Sequence, residues 1–308
     1  MKLERKNILV TGGAGFIGSH LVDLLVEKNS ITVADNLSPD RQKTLNSKAK
    51  YVGLDMLDMD SVASTVKNID LVIHLAANPL ASVTASAEMI GNITMTHNIL
   101  EAMKENSVNN IAFASSAIIY GNAPPPTKES YGPLKPNSLY AASKLACEAL
   151  ISAYCHTFNM KSWVFRFANV GGPRLRHGPA YDFITKLRSN PSELEVLGDG
   201  TQKRCYLHVD DCVNGIVHVV ESSDNSVNIV NLGAEDVISI KRIAEIVVEE
   251  MRLDAKLKFT AKEAKGWKGD VKIFQPDITL AKSLGWKPKR SSEQTIHDTV
   301  SSLLLESL

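Results

Sequence analysis

The sequence predicts an α/β protein built on a doubly wound parallel sheet, with a smaller α/β domain toward its C-terminal end. Short runs that are apolar on both faces alternate with longer amphipathic stretches, the pattern of strands buried between two layers of helices. The first of these runs ends in a cluster of glycines and leads directly into a helical stretch. Past Asn169 the texture changes to segments rich in glycine, proline and charge, which marks a change of domain.

Taken in order, NILVTG (7–12) is the first strand and SHLVDLLVEK (19–28) lies in the helix behind it. ITVADN (31–36), KYVGLD (50–55) and DLVIHLAA (70–77) are further β-branched runs of strand length. The stretch from Ile93 to Glu105 repeats apolar residues at helical spacing, and NIAFASSA (110–117) is the next strand. Pro136-Asn137-Ser138 is a helix-entry signal, followed by AASKLACEALISAY (141–154), rich in alanine and leucine. SWVFRFAN (162–169) closes the series, before GGPRLRHGPAYDF (171–183) and NPSELEVLGDGTQKR (190–204) bring the new texture. VDDCVNGIVHVVE (209–221) and VNIVNLG (227–233) again read as a helix and strand of the earlier style. The expected division is therefore 1–168 for the sheet domain, with returning segments near 209–235, and 169–308 for most of the second.

With 308 residues, 44% of them hydrophobic and 22% charged, the chain can bury one large or two modest cores. Its formal net charge is +0 and it has no lysine/arginine run, which argues against a sequence-independent grip on nucleic acid. No apolar segment reaches membrane-spanning length, and the short leader MKLERK is no signal peptide, so a cytoplasmic location is the expectation. Cys147, Cys155, Cys205 and Cys212 form neither C-x-x-C nor a zinc-like set with histidines. They read as buried or free thiols, and no metal is expected.

The first strand runs into TGGAGFIGSH, with glycines at 12, 13, 15 and 18. Glycines there let the backbone turn tightly and approach a pyrophosphate, which then rests on the N-terminus of the helix beginning near Phe16. The next strand ends in Asp35, where an acid accepts hydrogen bonds from an adenosine ribose. A carboxylate there repels a 2′-phosphate, so NAD is expected rather than NADP, although Arg41 lies close in sequence.

Two tyrosines stand four residues before a lysine. Tyr131 and Lys135 are separated by Gly132 and Pro133, which break a helix. Tyr140 and Lys144, in LYAASK, sit on one uninterrupted turn and share a face. Such a pair is either a proton-transfer device or ordinary helix surface, and the spacing alone leaves both open.

TGGAGFIGSH, DNLS (35–38), HLAA (74–77), SSAIIYG (115–121), YAASK (140–144) and GDGTQKRCYLHVDD (198–211) occur in this order over nearly the whole chain. In this the sequence resembles the extended short-chain dehydrogenase/reductase family, and within it the nucleotide-sugar 4-epimerases of the UDP-glucose/UDP-galactose type. The resemblance implies that Gly12, Gly15, Phe16, Ile17, Gly18, Asp35 and Asn36 hold the cofactor. It adds Asp55 and Met56 beside the adenine, Leu75, Ala76 and Ala77 along the cofactor, and Asn92 near its ribose. Tyr140, Lys144 and Ser116 would be catalytic, with Ser115 the alternative serine, and Asn169 and Arg204 would touch the nucleotide-sugar with Ser116. It also implies a homodimer through the helices carrying Met95 to Met103 and Tyr140 to Tyr154, and a cleft between the two domains at the carboxyl ends of the strands.

The chemistry asks Tyr140 to take a proton from a sugar hydroxyl while hydride leaves the same carbon. A phenol with a pKa of about 10 needs help. Lys144 at about 5 Å and an effective dielectric of about 20 would contribute roughly 3 kcal/mol, about two pKa units, toward the phenolate. In related 4,6-dehydratases and decarboxylases an acid follows the serine or threonine of the SSAIIYG stretch; here that place is Ala117. C4 epimerisation is therefore the first reading, a lyase the second, and an NAD-binding protein without turnover the third.

Two departures touch the expected substrate site. R-D-Y-x-H-V becomes Arg204-Cys205-Tyr206-Leu207-His208-Val209, and the arginine usual before P-G-D is replaced by Trp267. Arg174, Arg176, Lys265 and Lys268 are the candidate replacements for a diphosphate clamp, and the choice among them is open, as is that between UDP- and dTDP-hexose. His177 and His208 lack neighbouring ligands at metal spacing and read as packing or hydrogen-bonding residues.

Overall fold

The computed structural model describes residues 1–36, 45–78, 86–261 and 271–306. Its strands are β1 (Asn7–Thr11), β2 (Ser30–Asp35), β3 (Lys50–Gly53), β4 (Leu71–His74), β5 (Asn110–Ser116), β6 (Lys161–Phe167) and β7 (Asn169–Gly171). There follow β8 (Glu193–Val196), β9 (Lys203–Arg204), β10 (Tyr206–His208), β11 (Val227–Leu232), β12 (Ile238–Ser239), β13 (Lys256–Phe259) and β14 (Ile273–Phe274). The helices are α1 (Phe16–Leu25), α2 (Met59–Thr65), α3 (Ser86–Glu105), α4 (Leu139–Phe158) and α5 (Pro179–Ser189). They continue with α6 (Val209–Ser222), α7 (Ile240–Glu250), α8 (Thr279–Ser283) and α9 (Ser292–Leu305).

Seven strands form the main sheet in the order β11-β6-β5-β4-β1-β2-β3. β1 lies parallel to both β2 and β4, with Val10 opposite Val33 on one side and Ile73 on the other. The order reverses beside β1, and in such open sheets the crevice outside that point is where ligands bind. All four residues of β4 are buried, as a strand covered on both faces requires. This is the doubly wound sheet the sequence predicts.

Local sequence sets the helix ends. The Asp58 carboxylate caps α2 by accepting from the N–H groups of Asp60 and Ser61. Ser138 caps α4 through its hydroxyl oxygen, which accepts from Ala141 N–H, and Asn159 ends that helix in the left-handed region at φ +55°. Ser291 and Gln294 form a reciprocal capping box on α9.

The chain divides into two compact units. The first comprises Met1–Ile119, Pro136–Arg166 and Val213–Val230. Its core gathers Leu9, Val72, Ile99, Leu100, Met103, Ile111, Phe113 and Val164, and α3 packs along α4. The second comprises Tyr120–Lys135, Phe167–Cys212 and Asn231–Leu308. Its core is built from Phe183, Ile184, Leu187 and Leu194 with Ile243, Val247, Ile296 and Val300. Among the described residues no helix is long and apolar enough to cross a membrane.

Candidate active site

β1 delivers the chain to Gly12, whose amide donates to Ala34 O at 2.9 Å and whose φ is +67°, a conformation that side-chain-bearing residues rarely adopt. A Cβ on Gly12 would stand 2.7 Å from Ala76 N. One on Gly18 would stand 2.3 Å from Gly12 O, so the first turn of α1 packs directly on the glycine turn. Gly15 is the N-cap of α1 and supplies no side-chain acceptor. The amides of Phe16, Ile17 and Gly18 begin the helix, and unsatisfied first-turn amides with the positive end of a helix suit a pyrophosphate. Asp35 is buried at the end of β2, and its Oδ2 accepts from Ala14 N–H at 3.0 Å. These residues fit the phosphates and ribose of a dinucleotide. Asn36 is exposed beside Asp35. Asp55 is also exposed and accepts from Leu57 N–H at 2.9 Å, whereas the Met56 side chain is buried in the core.

Leu75, Ala76 and Ala77 follow β4, and a hydrogen-bond network absent from the sequence reading pins them. Thr11 Oγ1 lies 2.7 Å from His74 Nδ1, and Ala76 N–H donates to the same oxygen at 3.3 Å. His74 Nε2 meets Thr96 Oγ1 at 3.2 Å. Burial, then the charge of Lys144, pushes the His74 imidazole down to about 3, so it stays neutral. Buried Asn92, expected near a ribose, accepts from Asn78 N–H at 2.8 Å and donates to Asn78 O and Ser143 Oγ, each at 3.2 Å. It latches the loop after β4 to α4.

β5 and α4 bring Ser116, Tyr140 and Lys144 into the same unit. Ser115 is buried and donates its hydroxyl to Glu148 Oε1, which occupies the alternative serine. Ser116 is half-buried and accepts from Ile118 N–H at 3.3 Å, an arrangement that leaves its own proton to donate. Lys144 is buried, and its ammonium donates to Ala114 O at 2.7 Å. Its Nζ stands 5.8 Å from the Tyr140 ring centroid and 4.7 Å from that of Phe113.

One electrostatic expectation is corrected. Within the protein alone Lys144 does not draw Tyr140 toward the phenolate: burial, followed by the charge of Cys147, pushes the phenol up to about 12. Lys144 itself is pushed down to about 8 by burial, against the opposing pull of Cys147 and Glu148. For both groups the largest cause is desolvation, which disfavours the charged form of each.

The second unit holds the remaining candidates. Asn169 begins β7 opposite Tyr206 of β10, and Arg204 lies in β9 opposite Ile238, with Nη1 donating to Lys203 O at 2.7 Å. Cys205 is fully buried, and its sulfur accepts from Ala234 N–H at 3.1 Å, so the residue replacing the usual acid serves packing. Buried His208 takes Asp210 N–H on Nδ1 at 3.2 Å. Among the described residues no three His, Cys, Asp or Glu are arranged to hold a metal. Leu37, Ser38, Arg41, Lys265, Trp267 and Lys268 lie outside the described residues.

A doubly wound sheet with a glycine turn at its switch point and an acid closing the next strand defines a dinucleotide-binding α/β protein. Residues 8–233 match the model of the NAD dependent epimerase/dehydratase family, and the chain belongs to that family. It is 32% identical over 305 residues to a putative UDP-glucose 4-epimerase of Methanocaldococcus jannaschii, covering 95% of this chain and 97% of that one. It is 30% identical over 318 residues to a UDP-N-acetyl-alpha-D-glucosaminuronate decarboxylase of Bacillus cytotoxicus, covering 96% and 97%. A solved UDP-galactose 4-epimerase superposes with a TM-score of 0.89 at 38% identity, over 98% of this chain and 100% of that one. The Thermus thermophilus UDP-glucose 4-epimerase, solved as a complex with NAD, is similar at 28% identity and a TM-score of 0.85, covering 97% and 99%. The protein is thus an NAD-dependent enzyme of the UDP-sugar epimerase and decarboxylase group.

Proposed function

We propose that the enzyme epimerises a UDP- or dTDP-hexose at C4 through a transient 4-keto sugar. The observation that carries this reading is Ala117, fully buried where the related lyases place an acid. Elimination of water needs an additional acid and base. The buried carboxylate beside β5, Glu148, has both oxygens engaged by Arg166, at 3.1 and 2.7 Å, and one also by Ser115. Epimerisation needs only that the keto sugar turn over and take hydride back on its other face.

In this mechanism Tyr140 accepts the 4-hydroxyl proton and later returns it, and Ser116 donates to the same oxygen to orient it. Lys144 fixes the floor of the site through Ala114 O. NAD, when bound, would supply the acceptor and donor for the C4 hydride, and its positive charge would favour the phenolate form of Tyr140. Asp35 would hold the adenosine ribose and the amides of Phe16 to Gly18 the pyrophosphate, while Asn169 and Arg204 would meet the nucleotide-sugar. Incubation with a panel of UDP- and dTDP-sugars, with products resolved by NMR, tests the proposal: a C4 epimer supports it, and a dehydrated or decarboxylated sugar replaces it with the lyase reading. The latter is kept alive by the decarboxylase relative. We propose also a cytoplasmic homodimer through α3 and α4, which a purely monomeric sedimentation profile at micromolar concentration would refute.

A further inference from the structure

Tyr140, Lys144 and Glu148 follow one another at intervals of four residues, so one face of α4 presents a phenol, an ammonium and a carboxylate in a row. Lys144 grips Ala114 O at 2.7 Å, and Glu148 Oε1 accepts from Ser115 Oγ at 2.5 Å. Two consecutive residues at the end of β5 are thereby fixed by two consecutive turns of α4, immediately before Ser116. From β6, Arg166 closes on the carboxylate in a fork, Nε to Oε1 at 3.1 Å and Nη2 to Oε2 at 2.7 Å. Ser115, Lys144, Glu148 and Arg166 are each at least nine-tenths buried.

A buried ion pair of this kind rarely gains enough to repay its desolvation, and apolar replacements are often as stable. Its place immediately before Ser116 therefore invites a role other than stability. Building on the catalytic reading above, we propose that Glu148, held by Arg166, is a positioning residue: it fixes the end of β5 that carries Ser116 and sets a carboxylate one helical turn from the Lys144 ammonium. The charges around Lys144 support this. Cys147 and Glu148 on its own helix pull its pKa up against burial, and Arg166 does not figure among the groups acting on it. Neutral His74 on β4 and protonated Tyr140 supply no opposing charge near neutral pH.

The test compares Glu148→Gln, the double variant Glu148→Gln/Arg166→Gln and the wild type. Their melting temperature, NAD content, kcat and KM, pH–rate profile and the NMR titration of ε-¹³C-labelled lysine would be measured, with the Lys144 signal identified by its absence in Lys144→Met. In Glu148→Gln, kcat is expected to fall roughly 10- to 100-fold with KM little changed, as for misplaced catalytic groups. The alkaline limb and the Lys144 titration should both move down, because a negative charge that raises the Lys144 pKa is removed. Because Arg166 loses the carboxylate of its buried ion pair, this variant is also expected to melt early. The double variant removes both charges and should regain the melting temperature but neither the kcat nor the Lys144 titration. If the double variant recovers both, the pair is only structural and the proposal is overturned. An unchanged Lys144 titration in folded Glu148→Gln overturns it equally. A wild type that epimerises no nucleotide-sugar would instead remove the functional reading, while the lysine titration still decides this one.

Discussion

The Asp35 carboxylate accepts a hydrogen bond from the backbone N–H of Ala14 at 3.0 Å, so the acid closing the second strand also braces the glycine turn that follows the first. If Asp35 holds the ribose as proposed, Asp35→Ala should weaken that hold and loosen the turn together. A charge-assisted hydrogen bond contributes about 1.5–3 kcal/mol, so NAD should bind roughly 10- to 100-fold more weakly and discrimination against NADP should shrink. Calorimetric titration with both cofactors checks this; tighter binding of NADP by the wild type would sink the argument.

Gly18→Ala would place a Cβ 2.3 Å from Gly12 O and 2.6 Å from Gly13 Cα, both backbone atoms that have nowhere to go. We expect a loss of about 1–3 kcal/mol in stability, as for other overpacked sites, together with loss of NAD. Gly91→Ala is the contrast: a Cβ there meets nothing within 4 Å, and the residue lies inside α3. It should stabilise the protein by about 0.5–1 kcal/mol through helix propensity alone. Denaturant unfolding of both variants decides the matter.

Tyr140→Phe should keep its fold and bound NAD yet lose roughly 10²- to 10⁴-fold in turnover, the usual contribution of general acid-base catalysis. Tyr131→Phe should be nearly silent, since Tyr131 lies outside any helix and its ring packs edge-on to Tyr120 at 6.5 Å. Lys144→Met should fall in the same direction as Tyr140→Phe and also remove the ammonium that donates to Ala114 O. Turnover measured beside cofactor content and melting temperature separates the three.

Ionisation of Tyr140 offers an independent check. Its phenol, pushed up to about 12, should titrate later than an ordinary tyrosine in NAD-free protein and earlier once NAD is bound. Ultraviolet difference titration against Tyr140→Phe reads this directly, and an unshifted tyrosine in the free protein would contradict it.

Acid stability should carry the mark of His74. Its imidazole is held neutral down to about pH 3, whereas in the unfolded chain it takes a proton near its ordinary 6.5. Between those values the unfolded state binds more protons, so this contribution to stability is present above pH 6.5 and lost as pH falls toward 3, at up to about 1.4 kcal/mol per unit. His177 and His208, also lowered by burial, add to the same slope. His74→Gln should show a shallower decline over that range; an unchanged slope would mean that His74 is not the group responsible.

What could be read directly from the residues was what neighbours in sequence determine. A β-branched run, a glycine turn and a helix follow one another because each depends on a few adjacent residues, and β1, Gly12 and α1 stand where those residues placed them. Tyr140 and Lys144 share a face because helix geometry alone puts them there. The lone arginine in the apolar run SWVFRFAN and the glutamate one turn past Lys144 were visible signals, since a charge buried in a central strand must be paired, but nothing local says that they pair with each other.

Tertiary structure decided the rest. Ser115, Glu148 and Arg166 come from a strand, a helix and another strand, and Thr11, His74 and Thr96 from equally distant elements, so only folding reveals these networks. The same holds for the ionisation of Tyr140. Its spacing from Lys144 pointed toward the phenolate, but a pKa also sums the desolvation imposed by every element packed around the group, and here that burial outweighs the neighbouring charge.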